Sequence, residues 1–320
     1  MEAYLLNWPA LVYTVPMRTR FRGITLREGM LLHGPAGWGE FSPFLDYDDR
    51  ECVPWLASAV ESAADGWPAP VRDRVPINCT VPVVPAEQAK SLVAASGCAT
   101  AKVKVADPGM PLADDLERVA AVRDALGAAG RIRVDANAAW DVDTAVTAIG
   151  ELDRAADGLE YVEQPCQTLI ELAAVRRRVS VRIAADESIR RADDPMRVAL
   201  AGAADIAVIK VAPLGGVRRA LAVAQACGLP CVVSSAVETS VGLAAGLALA
   251  GALPELDFAC GLGTVSLLTT DVVAESLRPV DGWLPVPTAP PRPVSMAAVT
   301  ADKDTTARWQ QRLRGVLAAR

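Results

Sequence analysis

The sequence predicts an α/β protein: an eight-stranded (β/α)8-type barrel with a small α+β capping domain at its N-terminus. Three observations predict it. From about residue 75, short apolar segments alternate with helical ones at roughly 20–30 residues per unit. The short segments are rich in β-branched residues, as strands buried on both faces are. Eight such units can be counted, the number that closes a barrel of the triosephosphate-isomerase type. An open doubly wound sheet is the competing architecture. It is disfavoured because no glycine-rich phosphate loop follows the first strand.

Residues 5–15 and 29–39 read as strands, and the apolar spacing over 54–64 reads as a helix. The segment 66–76, with three prolines, reads as a linker. Strand-like segments follow at 77–83, 100–105, 132–136, 159–163, 182–186, 206–211, 231–235 and 256–260. Between them the expected helices cover 85–96, 112–129, 141–155, 169–178, 195–201, 216–227 and 241–252. The tail from about 278 is proline-rich and then helical from 305, and is expected to pack back on the N-terminal region. The expected domains are therefore a cap of 1–74 joined by 279–320, and a barrel of 75–278.

Bulk properties narrow the function classes. The formal net charge is −6, which disfavours a nucleic-acid partner because phosphate binding needs a concentrated basic surface. The longest apolar run, 241–253, is too short to span a bilayer, so no membrane association is expected. The seven cysteines lack zinc or dithiol spacing and sit mostly in apolar runs, so they read as reduced thiols. The N-terminus has no leader-like pattern, and the expectation is a cytoplasmic chain. Oligomeric state is not written in the sequence; a monomer is the working expectation.

Lysine usage carries more information. Among 32 basic residues only Lys90, Lys102, Lys104, Lys210 and Lys303 are lysines, and three of them lie inside apolar strand-like segments. In a barrel of this type the active site lies at the carboxyl ends of the strands. There the third, fourth and fifth strands end in Asp135, Glu163 and Asp186, while Lys102 and Lys104 lie on the second strand and Lys210 on the sixth. Three converging carboxylates need a cation to stay ionised together, and an all-oxygen set without His or Cys favours Mg²⁺, with Mn²⁺ as a substitute. A metal on a substrate carboxylate would stabilise the enediolate formed when the neighbouring carbon loses its proton. Lys104 and Lys210 would face that carbon from opposite sides of the barrel mouth. Lys102 places a like charge near Lys104, which favours the neutral form a general base needs.

The runs Lys102-Val103-Lys104, Asp135-Ala136-Asn137, Glu163-Gln164-Pro165, Asp186-Glu187-Ser188 and Ile209-Lys210 resemble the enolase superfamily, muconate lactonising subgroup. The segment Ser234-Ser235-Ala236-Val237-Glu238-Thr239-Ser240 and the turn Gly261-Leu262-Gly263-Thr264 are similar to its o-succinylbenzoate synthase family. That resemblance implies Mg²⁺ on Asp135, Glu163 and Asp186, Lys104 as base and then acid, and Lys210 on the other substrate face. It implies substrate contacts from Arg133, Ser234 and Ser235, and syn-dehydration of 2-succinyl-6-hydroxy-2,4-cyclohexadiene-1-carboxylate to 2-succinylbenzoate in menaquinone biosynthesis. It also implies an N-terminal lid loop, for which 15–23 with Arg18, Arg20 and Arg22 is the candidate; Arg20 is its expected substrate contact.

Other readings stay open at this stage. Racemisation of N-acylamino acids, such as N-succinylamino acids, would use the same two lysines. Muconate cycloisomerisation is a further option, and dipeptide epimerisation is disfavoured because Gly261–Thr264 replaces the acids expected after the eighth strand. A metal-free Schiff-base aldolase at Lys210 and a non-catalytic ligand-binding barrel represent different classes. The mandelate-racemase branch is excluded by Lys210 on strand six and by the lack of a barrel histidine; the sole His33 reads as structural.

Overall fold

The computed structural model describes residues 7–190, 202–294 and 296–320. The helix expected at 195–201 lies outside the described residues.

The N-terminal part is a three-stranded antiparallel sheet of β1 (Ala10–Phe21), β2 (Ile24–Gly34) and β3 (Gly37–Phe41), followed by α1 (Asp49–Ala64). Residues 15–23, expected as a loop, are instead the end of β1 and its turn. Arg22 and Gly23 both take positive φ (49° and 79°), the backbone hand that lets two residues reverse a twisted hairpin. Helix α1 starts five residues earlier than the apolar spacing predicts, because Asp48 and Glu51 form a reciprocal capping box. β3 lies against α1 so closely that a Cβ on Gly39 would stand 1.9 Å from the Ala59 carbonyl oxygen.

The expected linker 66–76 contains a short strand, β4 (Arg74–Pro76). It pairs antiparallel with β12 (Trp283–Pro285) near the chain's end. Seven parallel strands then form one curled sheet in the order β11-β10-β9-β8-β7-β6-β5. They are β5 (Cys79–Val81), β6 (Thr100–Lys104), β7 (Arg131–Asp135), β8 (Tyr161–Glu163), β9 (Ile183–Ala185), β10 (Ile206–Lys210) and β11 (Cys231–Ser234). The expected eighth strand at 256–260 is reduced to two parallel bridges, Ile77 with Cys260 and Ser234 with Gly261, which link the sheet's two edges. Phe258 turns toward the barrel floor, with its ring 6.0 Å from that of Tyr161. Gly261 permits the close approach, since a Cβ there would meet Ser234 Oγ at 2.6 Å.

The helices between strands are α2 (Ala86–Ser96), α3 (Leu112–Leu126), α4 (Val142–Ala155), α5 (Leu169–Arg176), α6 (Glu187–Arg190), α7 (Val211–Leu214), α8 (Val217–Cys227) and α9 (Ser240–Ala252). α3 stops three residues short of its expected end. Gly127 leaves the helix at φ 69°, and Arg123 donates to the freed carbonyls of Gly127 and Gly130. α9 is buried along nearly its whole length, consistent with its Ala- and Gly-rich, charge-free sequence. Among the described residues, no helix is long and apolar enough to cross a membrane.

The final helix, α10 (Lys303–Ala318), returns to the N-terminal sheet. Its Trp309 is buried edge-on to Phe41, and Trp309 Nε1 donates to Glu28 Oε2 at 3.1 Å. Arg312 donates to the carbonyls of Phe44 and Tyr47.

Candidate active site

Period-two alternation decides which strand residues face the barrel interior. Register then stacks them in layers: Lys102, Arg133 and Tyr161 are direct neighbours, and Lys104, Asp135 and Glu163 are neighbours one layer nearer the mouth. β9 pairs Ala184 beside Glu163, which brings Asp186 to the same rim just beyond the strand's end. On β10, Ile206 and Val208 point into the barrel below Lys210 and join Tyr161, Val232 and Phe258 in a small interior cluster.

Three lysines and three acids meet at the rim. Lys102 Nζ lies 2.8 and 3.0 Å from the two oxygens of Glu163 and 3.4 Å from Asp135 Oδ2. Lys104 Nζ lies 2.5 Å from Asp135 Oδ2 and 2.6 Å from Asn137 Oδ1. Lys210 Nζ lies 2.5 Å from Asp186 Oδ2. All three acids are almost fully buried. Burial and the Asp135 charge push Glu163 up to about 7, against the pull of Lys102. Burial works the same way on Asp135, but Lys104 and Lys102 overcome it and hold that carboxyl well below its usual range. Burial disfavours the Lys102 ammonium, yet Glu163 and Asp135 raise its pKa. The sequence reading gave Lys102 a role toward Lys104; the structure turns its ammonium onto the two acids instead.

Two spaces open here. An inner one of about 40 Å³ is lined by Lys102, Lys104, Asp135, Lys210, Ser234 and Ser235. Above it lies a cavity of about 1500 Å³ at the barrel mouth. Phe21, Arg22, Lys104, Asn137 and Glu187 border both. The hairpin tip therefore separates the inner space from the outer cavity. Lys104 Nζ sits 5.2 Å from the Phe21 ring centroid, within cation–π range.

Two expected substrate contacts are placed differently. Arg133 is fully buried beneath the rim and borders neither space. Its Nη1 donates to the Ala259 carbonyl at 2.6 Å, its Nε pairs with Glu160, and its guanidinium packs on Tyr161. It is a barrel-floor residue. Arg20 borders only the outer cavity, whereas Arg22, at the tip, borders both. The sequence reading also missed the aromatic wall of Phe44, Tyr47 and Trp55, which the cap contributes to the inner space. A clustering of aromatics over 38–55, in a chain only 5% aromatic, was the available signal.

Among the described residues, no three His, Cys, Asp and Glu side chains stand together as an assembled metal-binding group. Each acid of the rim instead faces a lysine ammonium. The donor chemistry nonetheless suits a hard divalent ion: three carboxylates from adjacent strands, all oxygen, in a site where burial and then the Asp135 charge push Glu163 up to about 7.

Comparison with known proteins decides the family. A model described as enolase C-terminal domain-like matches residues 85–290, and one described as enolase N-terminal domain-like matches 12–63. The chain belongs to the enolase superfamily. Within it, the chain is similar to o-succinylbenzoate synthase of Thermobifida fusca (strain YX), 62% identical over 96% of this chain and 95% of that protein. It is 56% identical to o-succinylbenzoate synthase of Mycolicibacterium smegmatis, over 94% and 93%. At this identity and coverage it belongs to the o-succinylbenzoate synthase family of the superfamily. Two solved structures share the fold. Muconate lactonizing enzyme from Pseudomonas putida has a TM-score of 0.72 at 22% identity, covering 94% of this chain and 98% of that one. A dipeptide epimerase from Enterococcus faecalis V583, complexed with Mg and the dipeptide L-Leu-L-Tyr, has a TM-score of 0.72 at 21% identity, covering 92% and 98%.

Proposed function

We propose that this chain is a Mg²⁺-dependent carbon–oxygen lyase that dehydrates 2-succinyl-6-hydroxy-2,4-cyclohexadiene-1-carboxylate to 2-succinylbenzoate, a step of menaquinone biosynthesis. The observation that carries the reading is the rim itself: Lys104 and Lys210 border one inner space from strands β6 and β10, with Asp135, Glu163 and Asp186 on the three strands between.

Asp135, Glu163 and Asp186 would hold the ion. The ion would supply positive charge against the substrate's ring carboxylate as that group gains charge. Three carboxylate and three lysine side chains face one another at the rim, and a divalent ion with a dianionic substrate would add no net charge to them. Lys104, in its neutral form, takes the proton from the carbon bearing the ring carboxylate. The C–H pair passes into the ring carboxylate as an enediolate, then returns to form the new ring double bond as the C6–O bond breaks on the same face. The proton now on Lys104 leaves with the hydroxide as water. Asn137 Oδ1 accepts from Lys104 Nζ at 2.6 Å, and this contact would steady the lysine were Asp135 engaged with the ion. Lys210 stands on the opposite side and offers a fixed positive charge to the charge-bearing carboxylate. Lys102 compensates the charge of Glu163 and Asp135. Ser234 and Ser235 on the inner wall and Arg22 at the hairpin tip contact the substrate. The cap, residues 1–74 with 279–320, closes the barrel of 75–278 and excludes water.

Racemisation of N-succinylamino acids remains a second reading, favoured by one observation: both lysines reach the same inner space. The test is an assay of the purified protein with Mg²⁺ on the cyclohexadiene and on N-succinylamino acids. Dehydration that EDTA abolishes and Lys104→Ala removes is expected. No dehydration with either Mg²⁺ or Mn²⁺ refutes the proposal. For racemisation, α-proton exchange from D₂O lost equally in Lys104→Ala and Lys210→Ala would support two bases; exchange lost only in Lys104→Ala supports one.

A further inference from the structure

The turn that follows β11 is under backbone strain. Val237 has φ 64°, a left-handed conformation that a β-branched residue rarely adopts. Such conformations persist only where surrounding contacts over-determine them. Val237 is also almost fully buried, and with Ser234, Ser235 and Ala236 it forms one wall of the inner space.

The restraining contacts come from the cap. Arg27 on β2 is 2% exposed. Its Nε donates to the Val237 carbonyl at 2.9 Å and its Nη2 to the Ala236 carbonyl at 3.3 Å. The same Nη2 donates to Ser42 Oγ at 2.9 Å and to the Ser42 carbonyl, so the guanidinium is fixed from its own domain. Glu238 closes the turn from below, its carboxylate accepting the Ala236 N–H at 2.7 Å. Beyond it, Glu40 of β3 accepts from the N–H groups of Thr239 and Gly242 at the start of α9. The turn is thus bracketed on both sides by cap residues. Arg27 has a further neighbour: its guanidinium lies 4.8 Å from the Phe44 ring centroid, and that of Arg22, from the hairpin tip, lies 4.0 Å from the same ring.

We propose that Arg27 is a positioning residue for the reaction: by holding the Ala236 and Val237 carbonyls it keeps Val237 left-handed, and this presents Ser234 and Ser235 to the substrate. The substrate-facing wall after β11 therefore takes its working shape only against the docked cap. A chain of contacts, Arg22 to Phe44 to Arg27 to Val237, joins the hairpin tip to that wall. This inference rests on the proposed function only in assigning Ser234 and Ser235 to the substrate.

A double-mutant cycle on the full chain with Mg²⁺ separates positioning from general stability. Arg27→Met, and independently Arg27→Lys, whose single ammonium cannot hold both carbonyls and Ser42, are each made with and without Val237→Gly. Glycine adopts positive φ at no steric cost, so the turn no longer needs Arg27 to hold it. Release of strain of this kind is expected to raise KM about tenfold for either Arg27 variant, with kcat changed much less. In the Val237→Gly background the same substitutions are expected to change KM only about twofold. An equal factor in both backgrounds overturns the proposal, since a merely structural role gives no such coupling. Amide hydrogen exchange over residues 235–239 supplies an arm that needs no substrate. It is expected to accelerate in Arg27→Lys while exchange in β6 and β7 stays unchanged; unaltered exchange at the turn overturns the proposal. A wild-type chain that fails to dehydrate the cyclohexadiene refutes the functional reading alone, and the exchange arm still decides the positioning.

Discussion

Lys102→Met is the sharpest probe of the rim's charge balance. The substitution keeps an unbranched side chain one atom shorter and removes its ammonium. That ammonium lies 2.8 and 3.0 Å from the Glu163 oxygens and 3.4 Å from Asp135, with all three side chains buried. Removing one partner of a buried pair leaves an uncompensated charge and costs about 3–5 kcal/mol. With an unfolding entropy of roughly 2 cal/mol/K per residue, that lowers Tm by about 5–8 °C for a chain of this length. The measurement is a thermal melt followed from about pH 7 to about pH 9: Glu163 stands at about 7 while Lys102 pulls it down, and without Lys102 the carboxyl is pushed higher still, so the variant's deficit should grow with pH. Run in EDTA, the variant is expected to show the full loss. Run in saturating Mg²⁺, it should recover most of it, because an ion on Asp135, Glu163 and Asp186 restores the missing positive charge and stabilises the state that binds it. A variant that melts within about 1 °C of wild type in EDTA would show that Lys102 does not compensate these acids. An equal deficit with and without Mg²⁺ would remove the three acids as the ion's ligands.

Further tests address other contacts. Burial and the neighbouring Glu40 charge raise the Glu238 carboxyl above its ordinary value. The folded chain therefore keeps a proton that the unfolded chain has already lost, and stability falls as pH rises from the ordinary carboxylate range through the raised value. Glu238→Gln should flatten that slope in urea-unfolding midpoints between pH 5 and pH 8; an unchanged slope refutes it. Arg22→Ala should raise KM more than Arg20→Ala, since only Arg22 borders the inner space; the reverse order in steady-state kinetics would restore Arg20 as the contact. Gly39→Ala would force a Cβ to within 1.9 Å of a helix carbonyl. Its cost should exceed the ~1–3 kcal/mol of ordinary overpacking, visible as a lower Tm or loss of folded protein; a melt matching wild type would mean that β3 and α1 separate without penalty.

The three acids were legible in the sequence for a simple physical reason. Each closes, or directly follows, a short strand whose residues next to the acid are buried, so a carboxylate there has few roles except at the rim. Arg133 was misread because period two gives direction but not depth. It shares the inward face with Asp135 but lies two residues, roughly 7 Å, deeper, where Tyr161 and Glu160 hold it. The eighth strand was over-read because the apolar character of 256–260 comes partly from Phe258 filling the barrel floor and not from a strand buried on both faces.

The cap illustrates what sequence patterning leaves out. Arg20 and Arg22 have the same charge and lie two residues apart; the choice between them turns on one tight turn at Arg22-Gly23 that aims the tip, and not the strand, at the inner space. Arg27 carries no motif and would pass for a surface cation in an antiparallel strand. Its role follows from three facts that meet only in the folded chain: it is buried, its donors reach two carbonyls 209 and 210 positions away, and one of those belongs to a strained Val237. The barrel's own residues supply the proton chemistry at Lys104 and the acids. The wall that presents the substrate to them is held in shape by a residue from another part of the chain, so a cap that docks imperfectly should cost substrate binding before it costs chemistry.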